Sequence, residues 1–160
     1  MDAASLKNQT IVAVSGAEKL GTVNEILFET DPLRVAALKA TDANGDFVVP
    51  FERVRRFGPD AVMVESADVR TTARGIGPGM RTLDELTQLN VMDEDGKGLG
   101  TVRGLEFDPD SGQVEQISAG TGGGMFGGGT HARIRARAIR AVGSDLVTVA
   151  SSGEADGEGH

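Results

Sequence analysis

Leu20-Gly21-Thr22-Val23 returns 79 residues later as Leu99-Gly100-Thr101-Val102, and no other feature constrains the fold as much. The residues after each copy match as well. Asn24-Glu25-Ile26-Leu27-Phe28-Glu29-Thr30-Asp31 stands against Arg103-Gly104-Leu105-Glu106-Phe107-Asp108-Pro109-Asp110, and the same spacing carries Val35 onto Val114 and Leu38 onto Ile117. A second echo sets Phe57-Gly58-Pro59-Asp60-Ala61-Val62-Met63-Val64 against Val142-Gly143-Ser144-Asp145-Leu146-Val147-Thr148-Val149, now 85 residues apart. The second copy therefore holds six extra residues, which fall in the glycine-rich stretch between Gly120 and Thr130. One unit has been used twice. Each copy has about 65 residues, a size at which a lone core is marginal, so the copies are expected to share an interface or the chain to dimerise.

Within a copy the pattern is that of short strands and tight turns. Thr10 to Val14 opens the first, and Thr22 to Phe28 slips in its two-residue alternation, as a bulge would make it do. Glu29-Thr30-Asp31-Pro32-Leu33 reads as a hairpin turn with Pro32 at the first central position. Arg34 to Ala40 follows with Val35, Ala37 and Leu38 inward, and Asp42-Ala43-Asn44-Gly45 is a second hairpin signal. Phe47 to Val49, a helical turn within Phe51 to Phe57, and Ala61 to Val64 complete the unit. The expected organisation is a first unit over 1–67, a linker over 68–81, a second unit over 82–150, and a disordered acidic tail over 151–160. The fold class is all-β: two tandem small barrels of five to six short antiparallel strands each.

The residues that repeat also carry a likeness. Leu99-Gly100-Thr101-Val102, the strand ending in Phe107-Asp108-Pro109-Asp110-Ser111-Gly112, the Val114 to Ile117 step, and Val142-Gly143-Ser144-Asp145-Leu146-Val147-Thr148-Val149 together resemble the PRC-barrel domain. That domain is named for the cytoplasmic part of the photosynthetic reaction-centre H subunit. It also occurs at the C-terminus of a ribosome maturation factor and in small stand-alone proteins. The resemblance covers both units. It implies tandem PRC-type barrels and an adaptor role in assembly, with no catalytic residue to carry over.

Composition narrows the function further. The net charge of −8 disfavours nucleic-acid binding by the surface as a whole. The chain has no Cys, Trp or Tyr, which removes disulfides, thiolate metal sites and most base-stacking platforms. A cytoplasmic location is expected, with no signal peptide and no apolar run near the ~20 residues a bilayer needs. Gly122-Gly123-Gly124-Met125-Phe126-Gly127 spells a dinucleotide motif, but no long helix pattern comes after it, so no cofactor is expected. Asp93-Glu94-Asp95-Gly96 and Asp42-Ala43-Asn44-Gly45-Asp46 lack the remaining ligands of a calcium loop. His131 and His160 lie far apart, so no metal site is expected either. No serine stands in a nucleophile-elbow setting. Gly21, Gly100, Gly58 and Gly143 are read as turn or close-approach positions, with Asp60 and Asp145 bonding local amides.

Two features remain. Met125 and Phe126 form an apolar pair among glycines, either docking into a partner or folding back over a barrel mouth. His131-Ala132-Arg133-Ile134-Arg135-Ala136-Arg137 alternates basic with apolar residues, and Arg140 lies just beyond. This cationic strand either pairs with carboxylates of the same chain or receives an acidic or phosphate-bearing partner. The leading expectation is a non-enzymatic adaptor or assembly scaffold holding a protein partner through Met125, Phe126, His131, Arg133, Arg135 and Arg137. The alternative is an RNA- or ribosome-associated maturation factor using the arginine strand. An enzyme or small-molecule binder lodged between the barrels is a third, lesser reading.

Overall fold

The computed structural model describes residues 1–72, 79–120 and 131–151, His131 in its backbone only. Met125, Phe126, the rest of the glycine stretch and the tail from Ser152 onward lie outside the described residues. The first copy runs β1 (Thr10–Ala13), β2 (Glu18–Thr30), β3 (Leu33–Asp42), β4 (Gly45–Pro50), β5 (Val54–Phe57) and β6 (Ala61–Val64). The second opens on β7 (Arg81–Thr82) and α1 (Leu83–Leu86). It continues as β8 (Asn90–Asp93), β9 (Gly98–Phe107), β10 (Val114–Gly120), β11 (His131–Arg135), β12 (Ile139–Val142) and β13 (Leu146–Val149).

The strand orders are β4-β3-β2-β1-β6-β5 and β11-β10-β9-β8-β13-β12, one path laid down twice. The fold is all-β with six strands in each unit's sheet. One pairing per sheet departs from the antiparallel expectation: β6 runs parallel to β1, and β13 to β8. The cause is connectivity. One edge of β1 is taken by β2, and the β5–β6 hairpin returns β6 along the free edge in the direction of β1.

The period slip in β2 is a pair of bulges. At one of them Leu27 lies opposite Ala37 and Phe28 opposite Val35, so Ala36 is passed over and side-chain parity flips. Val35, Leu38 and Ala40 enter the core, whereas Ala37, expected beside them, packs on the other face with Leu27 and Val48. Thr30 pairs with Leu33, leaving Asp31 and Pro32 as a two-residue turn. Pro32 comes after a cis peptide and takes the second central position instead of the first. The turns before β6 and β13 also differ from expectation. Gly58 N–H donates to Ala61 O and Gly143 N–H to Leu146 O, both at 2.9 Å. Those turn amides are thus met by carbonyls and not by the exposed Asp60 and Asp145. Gly21 is required by close approach, since a Cβ there would stand 2.7 Å from the Thr41 carbonyl oxygen and 2.8 Å from the Phe47 ring.

The units meet about an approximate two-fold axis. Arg34 and Gln113 hold the same place in the two copies, and they form a β-bridge with each other; residues paired with their own counterparts lie on such an axis. The lead segments are exchanged reciprocally. Met1 donates its ammonium to Phe107 O and accepts from Phe107 N–H, both at 2.8 Å, and Asp2 bridges Glu106. In the equivalent contact β7 pairs with Leu27 and Phe28 of β2. Each lead then makes a short helical turn, Ala3–Leu6 capped by Asp2 and α1 capped by Thr82. These turns bury Leu6 and Leu86 in a hydrophobic core that runs through both units and includes Phe28 and Phe107. No helix among the described residues is long and apolar enough to cross a membrane.

Candidate functional site

The alternation expected around β11 takes a definite form. Ile134 is buried, Ala132 is half-buried, and Arg133 and Arg135 between them are exposed. The strand ends at Arg135, so Arg137, expected on the same strand, sits instead in the turn Ala136–Ala138, where it too is exposed. The side chain of His131 lies outside the described residues, as do Met125 and Phe126. In the sequence the latter two fall between Gly120 of β10 and His131 of β11.

Arg133, Arg135 and Arg137 have no ion-pair partner among the described residues. Register explains this for β11. Arg133 stands opposite Ser118 and Arg135 opposite Gln116 on β10, with Glu106 a strand further on, opposite Gln116. Two strand spacings put the Glu106 backbone about 10 Å from that of Arg135, and both side chains line one surface depression without forming an ion pair. Ser118 and Gln116 complete the polar face, and neither is visible as a site residue until the register is known. Arg140 behaves differently: its Nε donates to Glu94 Oε2 at 2.8 Å.

The first unit shows what this face looks like when it is closed. The repeat places Val48 where Arg133 stands, Pro50 for Arg135, Ala37 for Gln116 and Leu27 for Glu106. Leu27, Ala37 and Val48 form a small apolar cluster with Met80 packed against it. Thr71 pairs its backbone with Val48 in both directions, at 2.7 and 2.8 Å. The linker thus covers in the first unit the face that is cationic and open at Arg133 and Arg135 in the second.

Two other charged groups serve the frame. Asp93 is 5% exposed, and its Oδ1 accepts from the amides of Asp95 and Lys97 at 2.9 and 3.0 Å. The segment from Asp93 to Lys97 is therefore a hairpin turn tied by one carboxylate. Lys7 Nζ donates to Asp84 Oδ1 of the second unit at 2.5 Å and lies 3.8 Å from Glu25 Oε2. The bond to Asp84 is the main cause that holds the Lys7 ammonium above its usual value, and the same bond holds the Asp84 carboxyl down. Burial pushes Glu25 up. This clamp is one-sided, because Thr87, Ala4 and Gly104 occupy the equivalent places.

A family model for the PRC-barrel domain matches residues 1–70 and again 78–155. No curated protein matches the chain.

Proposed function

The chain belongs to the PRC-barrel domain family, and from that premise we propose that it is a non-enzymatic, cytoplasmic adaptor. In this reading it holds an acidic protein segment on the edge formed by Arg133, Arg135 and Arg137. The observation that carries it is the exposure of three guanidinium groups with no carboxylate partner among the described residues, two of them, Arg133 and Arg135, on a face whose counterpart the linker covers. A guanidinium presents a planar fork of donors matched to a carboxylate. Single exposed pairs contribute little, so several must act together, and their attraction is screened by salt. Met125 and Phe126 precede β11 in the sequence and His131 opens it, and all three are assigned to the same partner. A net charge of −8 repels a long polyanion from the rest of the surface, which favours a protein over RNA.

The test is capture from cell extract by the tagged protein, with and without nuclease, against the Arg133→Glu/Arg135→Glu double variant. The expected result is a nuclease-resistant acidic protein whose capture falls steeply with salt and is lost in the variant. Capture abolished by nuclease would establish the RNA reading instead, and capture indifferent to the charge reversal would rule out this face.

A further inference from the structure

The two flanks of the seam between the units are filled differently. On one flank Phe51 and Phe57 stack with ring centroids 5.7 Å apart, and Phe57 meets Phe107 of the second unit edge-on at 5.6 Å. Phe51 lies against Gly112, where an added Cβ would come within 3.1 Å of the ring. The approximate axis carries Phe51 onto Ala136, Phe57 onto Val142 and Gly112 onto Leu33. Two rings become a methyl and an isopropyl group while only a leucine is gained. That flank holds a cavity of about 490 Å³, walled on its apolar side by Leu33, Ala136, Ile139 and Val142, with Arg137, Arg140 and one carboxylate, Asp31, also lining it.

We propose that this cavity receives an aromatic side chain from an acidic segment of a partner protein. The ring would occupy the space that Phe51 and Phe57 fill on the opposite flank, and carboxylates beside it would meet Arg137. The volume lies within the range of small-ligand sites, and a ring anchored in an apolar pocket is a common centre of binding energy at interfaces. Arg140 is held by Glu94 at 2.8 Å, so Arg137, exposed at the end of the arginine edge, supplies the charge. The inference rests on the adaptor reading above and adds to it the chemistry of the anchor.

The experiment titrates the full chain with a blocked acidic pentapeptide carrying a central phenylalanine, and with the same peptide carrying alanine there. Burial of one ring should make the first bind about tenfold tighter or more. The Leu33→Gly/Ala136→Phe/Val142→Phe variant installs the residues of the filled flank, the glycine leaving the room that Gly112 leaves for Phe51. It should keep its melting temperature and lose the preference for phenylalanine. Should that variant fail to fold, Ala141→Glu decides: it places a carboxylate on an exposed residue of the cavity wall and should weaken the phenylalanine peptide several-fold. Equal affinity for the two peptides, no binding of the phenylalanine peptide, or a preference surviving in the refilled protein would overturn the proposal. The adaptor reading stands or falls separately, by charge reversal at Arg133 and Arg135.

Discussion

Arg34 is bridged to Gln113, the residue holding its own place in the second copy, and beside them Val35 N–H donates to Gly112 O at 2.8 Å. A chain that meets itself at equivalent positions has an isologous contact inside one polypeptide. The linker keeps the two halves at high effective concentration. Two units, each too small to hold much core alone, are thereby stabilised against each other without a disulfide.

The shared core makes a prediction about cooperativity. Phe107 is 0% exposed, and its ring meets Phe57 across the seam. Phe107→Ala should cost about 3–5 kcal/mol. Calorimetry should show one transition displaced as a whole; two resolved transitions, one of them at the wild-type temperature, would contradict a common core.

Gly112 is fixed by both backbone and space. Its φ is +80°, and a Cβ would stand 3.1 Å from the Phe51 ring and 3.2 Å from the Val35 carbonyl oxygen. Gly112→Ala should lower the unfolding free energy in urea by about 1–2 kcal/mol from backbone strain alone, with the crowding added. In a Phe51→Leu background the crowding part should shrink, and a double-mutant cycle isolates it. Additivity across the cycle would mean that ring and glycine do not interact.

Thr82 links the second lead segment to its helical turn. Its Oγ1 accepts from Glu85 N–H at 3.0 Å, and Glu85 Oε1 accepts from Thr82 N–H at 2.9 Å. Thr82→Ala should cost about 1 kcal/mol and Thr82→Ser far less. Equal losses in equilibrium denaturation would assign the effect to the methyl group instead of the cap.

The Lys7–Asp84 clamp predicts a pH window. Lys7 is raised above 10.5, so its contribution is present below that value and is lost as pH rises through the raised one. Asp84 is lowered below 3.8, so its contribution is present above that value and is lost as pH falls through the lowered one. Lys7→Met should therefore be less thermostable than wild type through the neutral range, and the two melting curves should converge at both extremes. Glu25 has the opposite sense to Asp84. Raised above 4.5 by burial, it favours the fold at acid pH and loses that contribution as pH rises through the raised value. Glu25→Gln should flatten that decline. A Lys7→Met deficit independent of pH would mean that packing, not charge, is what the lysine provides.

Much of the frame could be read from the residues alone, because its signals are local. The 79-residue repeat, the hairpin at Asp42 to Gly45, the helical turn before β5 and the alternation around Ile134 depend on neighbours in the chain. The inward placement of Ala37 failed for a reason that lies outside its own strand. One passed-over residue, Ala36, flips parity, and where a bulge falls is settled by the pairing of β2 with β3. Parallel pairing of β6 with β1 was likewise hidden, since it joins segments some 50 residues apart. The burial of Asp93 left no signal, because its counterpart in the first copy is Ala13.

For the site, the sequence by itself determined which residues carry charge and that they alternate with apolar neighbours, because strand periodicity is a property of the backbone. It could not tell whether Arg133 and Arg135 find carboxylates, because that depends on what stands opposite, and the register brought Ser118 and Gln116 there. Nor could it show that Ala136 and Val142 leave a cavity where Phe51 and Phe57 fill one. A vacancy is a property of two surfaces brought together, and only the folding of one unit against the other makes the comparison physical.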